Sequence, residues 1–203
     1  MVSKGRLIVN GAHSGKGAVS VKSGAVLAGE GSLSGKVTVS RGGTIHAGDT
    51  ITSTKSLSLN GGLTIQQGGV VEIPLTTSGN FPRCNKLKVT GTFAVNDAHL
   101  VLDVSEATDI PDDRSFTLFD LSAATITGTG FATIEPERPS ATQVWDTSEL
   151  LTTGRIYVRS ASETGIHDVR QASSSPCFDL TGRPTEEPQR GIYIQDGKKM
   201  IRK

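Results

Sequence analysis

The feature that most constrains this chain is a run of aliphatic residues six apart. Val21, Leu27, Leu33, Val39, Ile45, Ile51, Leu57 and Leu63 all obey the spacing. Each sits in a three- to five-residue alternation such as Val19-Ser-Val21, Val37-Thr-Val39 or Leu63-Thr-Ile65, bounded by Gly, Ser or Asn. Period-two alternation in short runs closed by glycine is a strand signal. These aliphatic side chains are therefore expected to point inward and stack in ladders. Helical periodicity is found nowhere in the chain.

Two realignments show that the pattern is a repeat. Val19-Ser-Val-Lys-Ser-Gly-Ala-Val-Leu27 matches Val37-Thr-Val-Ser-Arg-Gly-Gly-Thr-Ile45 at an offset of 18 residues. Leu57, Leu59, Gly61, Leu63 and Ile65 return thirty residues later as Leu87, Val89, Gly91, Phe93 and Val95. Between them, Pro74 to Cys84 reads as an inserted loop punctuated by Pro74, Gly79 and Pro82. His99–Val104 and Phe116–Leu121 are the last strong strands before Arg155-Ile-Tyr-Val158.

Composition points the same way. Aromatics are 4% of residues while glycine reaches 24. A core short of large rings must be thin and aliphatic, which a solenoid provides because each coil buries a few residues against its neighbours. The expected fold is all-β, a single-stranded β-helix or solenoid over residues 1–158. A linker over 159–176, marked by Ser173-Ser174-Ser175-Pro176, and a small β-hairpin unit over 177–203 follow. In that unit Asp196-Gly197 stands between Ile192-Tyr193-Ile194 and Met200-Ile201, and Asp-Gly tolerates the positive φ of a type I′ turn.

Two families are resembled. Gly5-Arg-Leu-Ile-Val-Asn-Gly11, Ser23-Gly-Ala-Val-Leu-Ala-Gly29, Gly35-Lys-Val-Thr-Val39 and Gly42-Gly-Thr-Ile-His-Ala-Gly-Asp49 look like autotransporter-associated β-strand repeats. So do Lys86-Leu-Lys-Val-Thr-Gly91, Trp145-Asp-Thr-Ser-Glu-Leu150 and Thr153-Gly-Arg-Ile-Tyr-Val158. The resemblance covers roughly residues 5–158 and implies a β-helical stalk in a secreted or surface protein. His46-Ala47-Gly48 stands where the family usually has Ala-Pro-Gly. The second resemblance covers about 162–203, through Gly165-Ile-His-Asp-Val169, Phe178-Asp-Leu-Thr-Gly-Arg183, Pro188–Ile194 and Asp196-Gly-Lys-Lys199. These segments look like the short C-terminal tail of exported Bacteroidetes proteins, akin to the last strands of type IX secretion sorting domains. That resemblance marks Asp179, Leu180, Gly182, Arg183, Gly191, Tyr193, Asp196, Gly197 and Lys198 as the tail motif. Phe178 replaces the family's usual Tyr, and the upstream strands of a full sorting domain are missing. Handedness has two readings: six-residue spacing favours triangular left-handed coils, whereas the repeat family implies a right-handed helix with longer coils. The right-handed form is preferred because the spacing breaks after Leu63.

Candidate chemistry is sparse. With 21 basic and 20 acidic residues the formal charge is +1, which gives no reason to expect nucleic acid or an anionic membrane as partner. No apolar run approaches the roughly 20 residues that span a bilayer. Met1-Val2-Ser3-Lys4 is not followed by a signal-peptide core, so the chain reads as the C-terminal end of a longer exported protein. His13, His46, His99 and His167 lack metal-ligand spacing, and Asp103 to Asp113 reads as a solvated acidic loop rather than a calcium site. Ser14-Gly15-Lys16-Gly17 lacks the leading glycine of a phosphate loop. Cys84 and Cys177 fit free thiols at least as well as a bridge. Trp145, Tyr157 and Tyr193 could stack on sugars, but Trp145 fits a cap on the open end of the core better. No catalytic, metal or cofactor site is expected. The expected role is a structural spacer whose tail caps, anchors or sorts, with the upstream region of the parent protein, export machinery or a cell-surface glycan as partners. The alternatives are a carbohydrate-binding module and the terminal fragment of a polysaccharide lyase-like β-helix enzyme.

Overall fold

The computed structural model describes residues 1–49, 56–78, 81–107, 110–161, 177–178, 184–185, 191–195 and 198–202. Ile51 lies outside these residues, as do Asp109, His167 and the linker serines. The chain divides into two compact units, Met1–Ser162 and Glu163–Lys203. Both are built of β-strands, with no helix among the described residues.

The first unit begins with three strand triads. They are β1 (Gly5–Ile8), β2 (Ala12–His13) and β3 (Val19–Val21), then β4 (Ala25–Ala28), β5 (Ser32–Leu33) and β6 (Val37–Val39), then β7 (Thr44–His46), β8 (Ser56–Leu59) and β9 (Leu63–Ile65). Each strand lies parallel beside the third strand before it: β4 on β1, β5 on β2, β6 on β3, and so on through β9. The pattern continues with β10 (Val70–Ser78) on β7. After a hairpin strand β11 (Phe81–Cys84), the long strand β12 (Lys86–Glu106) passes through all three ladders in turn. Its residues pair with β8, then β9, then β10. After the short β13 (Ser115–Thr117), β14 (Phe119–Glu135) repeats that course along β12.

In-register parallel stacking sets like beside like at the roughly 4.8 Å strand spacing. One row runs Leu7, Leu27, Ile45, Val71, Leu100, Ile134. Another runs Val19, Val37, Leu63, Phe93, Ile126. Of the hexad residues, Val21, Leu27, Leu33, Val39, Ile45, Leu57 and Leu63 are all buried, as expected. Turns stack as well. Gly24, Gly42 and Gly68 share φ near +70° and are followed in their column by Asp97 at φ 45°. Their amides donate along the column, Gly24 to the Gly42 carbonyl, Gly42 to Gly68 and Gly68 to Asp97, at 2.8, 2.8 and 3.1 Å. A left-handed backbone shared by a whole column explains why glycine fills three of its four places.

Two expectations need correction. The coil of eighteen residues holds for one return only. Arg6 pairs with Val26 and Val26 with Thr44, but Thr44 pairs with Val70, Val70 with His99 and His99 with Thr133, so from β7 onward each return is longer than the last. A strict hexad coil would have set Val39 on Leu57; it sits on Ile65 instead. Second, Pro74 to Cys84 is not a loop. Ser78 pairs antiparallel with Phe81 and Leu75 with Cys84, leaving two residues between the strands, a hairpin spacing. Pro74 is tolerated at a break in register with β12, and Pro82 lies on β11, which pairs only with β10 among the described residues.

Downstream, β15 (Gln143–Asp146) and β16 (Arg155–Ser160) form an antiparallel sheet with β13, in the order β13-β16-β15. The segment around it touches β14 near its start and at Gly130. The Gly154 carbonyl accepts from the amides of Leu118 and Phe119 at 2.9 and 3.2 Å, and a Cβ on Gly130 would lie 3.2 Å from Leu151.

Candidate functional site

The second unit has four short strands: β17 (Cys177–Phe178), β18 (Pro184–Thr185), β19 (Gly191–Gln195) and β20 (Lys198–Arg202), in the order β18-β17-β19-β20. Gly191 pairs with Arg202, Tyr193 with Met200 and Gln195 with Lys198, all antiparallel. Gly191, Tyr193 and Lys198 of the tail motif therefore share one hairpin. Asp196 and Gly197, the two residues joining its strands in sequence, lie outside the described residues, as do Asp179, Leu180, Gly182 and Arg183.

On the first unit, the ends of several strands meet around a concavity of about 590 Å³, with Phe119 and Leu121 among its polar neighbours. Its lining includes Ser56 at the start of β8, Lys86 at the start of β12, Thr117 at the end of β13, Asp120 in β14 and Arg155 at the start of β16. The register explains the meeting of three of them: Ser56 pairs with Lys86, and Lys88 with Asp120. The Asp120 carboxylate accepts from the Ser122 hydroxyl at 2.7 Å, with the Ser122 amide at 3.3 Å, and these bonds hold its pKa below the usual carboxylate range. Lys88 Nζ stands 3.9 Å away. Neither Lys86 nor Arg155 forms a salt bridge among the described residues. Such a lining offers two cations and several hydroxyls to an acidic or hydroxylated ligand.

Cys84 lies behind this surface. Its thiol is buried and free, donates to the Thr117 carbonyl at 3.1 Å, and is pushed up to about 12 by burial, against the smaller opposing pull of Lys86. The folded thiol thus stays protonated where the unfolded one, near 9.0, ionises. Below pH 8 both states hold the proton and this group adds no pH dependence. From about pH 9 to 12 the unfolded state alone loses it, so stability falls with rising pH. With Cys177 replaced by serine, labelling of Cys84 by a thiol reagent at pH 8 is expected to be at least about a hundredfold slower in the folded protein than in urea. Equal rates would show the thiol to be open.

The other sequence candidates resolve into packing. Trp145 is half-buried, donates its indole N–H to the Pro136 carbonyl at 3.0 Å and meets the Phe116 ring edge-on at 6.4 Å. Tyr157 donates to Glu149 at 2.9 Å and lies beneath the Arg159 guanidinium. Arg159 also reaches Asp113 at 2.6 Å and Asp146 at 3.5 Å, while Asp112 accepts from Gln143, also at 2.6 Å. Asp103 accepts from the Ser105 amide. Those described carboxylates of the acidic segment are thus held by their own neighbours. Among the described residues no three His, Cys, Asp or Glu side chains are grouped to hold a metal ion. His46 is buried with Nδ1 3.0 Å from the Gly48 carbonyl, and His99 meets the Thr133 hydroxyl. No described helix is long and apolar enough to cross a membrane.

No protein-family model matches this chain, and no curated protein is significantly similar to it.

Proposed function

We propose that residues 1–158 form a closed single-stranded β-helix serving as a non-catalytic spacer at the C-terminal end of an exported bacterial protein, and that the hairpin unit sorts or anchors it. The observation that carries the reading is the cyclic order of the ladders, with every strand from β4 to β10 parallel to the third before it and the rows apolar throughout. A chain that visits three parallel ladders in rotation winds around one axis and buries a thin core. Parallel crossovers are right-handed in about 98% of cases, and the unequal returns suit a right-handed helix better than a strict left-handed hexad coil. Such a body is stiff along its axis because each coil is hydrogen-bonded to the next. The resemblance of residues 162–203 to export-associated tails supplies the addressing role, and a simple cap is the competing role for the same unit.

Expression in a Bacteroidetes host behind a signal peptide separates these roles. The full chain is expected on the cell surface, and a chain ending at residue 162 in the periplasm. Equal surface display of both would remove sorting and leave a cap. Glycan binding is a second reading, favoured by the Lys86 and Arg155 concavity. Retention on an acidic polysaccharide that is abolished in a Lys86→Ala, Arg155→Ala variant would support it.

A further inference from the structure

We propose that the N-terminal edge of the first unit, made by Val2, β1 and β2, is the receiving face for another parallel coil. That coil is supplied by polypeptide ahead of Val2 and stacks on the first coil as the first stacks on the second. This rests on the solenoid reading and adds to it a direction and a partner.

Two independent observations converge on this edge. The first is exposure within the rows. Leu7 and Ile8 are 40% and 45% exposed, whereas their neighbours Leu27 and Ala28 are both 0%. β1 pairs with β4 alone among the described strands, so its outer edge presents unpaired amides and carbonyls as a template.

The second is glycine placement. A Cβ on Gly35 would fall 2.0 Å from the Gly17 carbonyl oxygen, one on Gly61 2.5 Å from the Gly35 carbonyl carbon, and one on Gly31 2.2 Å from the Gly11 oxygen. In each case the missing side chain points at the preceding coil. Gly11 and Gly17 head these columns, meet nothing within 4 Å and do not have a left-handed backbone. Neither conformation nor any neighbour in the first unit accounts for glycine at either place. A preceding coil does.

The occupant must also be parallel, because only a parallel strand extends the row Leu7, Leu27, Ile45 in register. A second copy meeting β1 about a two-fold axis would run antiparallel to it.

The test extends the whole 203-residue chain by one coil, a copy of residues 21–38 placed ahead of Met1 so that the copied Ala25–Ala28 precede Gly5–Ile8 by the spacing that separates Val26 from Thr44, beside a control carrying the same residues in scrambled order. Protected amides at Leu27, Ile45 and Leu100 in the unextended chain come first, since their absence would sink the solenoid reading itself. Given that protection, the matched extension is expected to slow amide exchange at Leu7 and Ile8 by about tenfold or more. It should also turn Gly17→Ala from a silent change into one that lowers the melting temperature by several degrees. Unchanged exchange with a still silent Gly17→Ala would overturn the proposal, as would equal protection from the scrambled control. Protection in the unextended chain that rises with protein concentration would assign the edge to a second copy, which also overturns it.

Discussion

Replacing Phe93 with alanine is expected to cost about 3–5 kcal/mol of unfolding free energy. Phe93 is fully buried and continues the row of Val19, Val37 and Leu63, ahead of Ile126. Its ring centroid lies 5.2 Å from that of Phe119, tilted by 43°, and Phe119 stacks on Phe131 at 6.0 Å. Tilted and offset ring pairs add about 0.5–1.5 kcal/mol beyond their buried area. The rings occur where the returns have lengthened, on β12 and β14. Truncation opens a cavity that the hydrogen-bonded strands β9 and β14 on either side keep from collapsing. Phe93→Leu keeps the row apolar and is expected to lose less than half as much. Urea unfolding, followed by Trp145 fluorescence, measures both. A loss below about 1.5 kcal/mol for Phe93→Ala, at unchanged denaturant slope, would show the core to be compliant there.

Much of the first unit was legible because in-register stacking writes itself into the sequence as repetition. The realignment of Val19–Leu27 on Val37–Ile45 is also the pairing found, Val19 with Val37 and Leu27 with Ile45. The thirty-residue echo is likewise the register of Leu57 with Leu87 and Leu63 with Phe93. What misled was the hexad beyond Ile45. Spacing along the chain counts strands and turns, whereas pairing counts the length of a full return. The return between β7 and β10 is longer, so Leu57 and Leu63 keep the count yet fall in other rungs than a fixed coil would give them. The β10–β11 hairpin is masked in the sequence because Pro74 and Pro82 give a loop signal on both sides of its two-residue connection. The concavity left no local signal. Its residues come from β8, β12, β13, β14 and β16, and only the register brings Ser56 to Lys86 and Lys88 to Asp120. The tail motif was read from resemblance, and the backbone pairing adds the shared hairpin of Gly191, Tyr193 and Lys198.

The glycine columns yield the sharpest contrast between two chemically identical changes. Gly35→Ala is expected to cost about 3 kcal/mol or more, in the range of overpacking into an unyielding site. The new Cβ would meet Gly17 backbone, 2.0 Å from its oxygen and 2.9 Å from its carbonyl carbon. Backbone cannot rotate away as a side chain does. Relief requires the stacked segments to part by about 1 Å, which strains the bond from the Val19 amide to the Lys36 carbonyl at 2.8 Å and the β2–β5 pairing beside it. Gly17→Ala, one place earlier in the same column, meets nothing within 4 Å at an exposed site. Its backbone does not need a left-handed φ, so the substitution only narrows the unfolded ensemble and is expected to be neutral or stabilising by up to about 1 kcal/mol. Thermal and urea unfolding of the two variants side by side decide the matter. Similar costs at both positions, or a tolerated Gly35→Ala, would mean that the coils are not stacked at the distance from which the glycine columns follow.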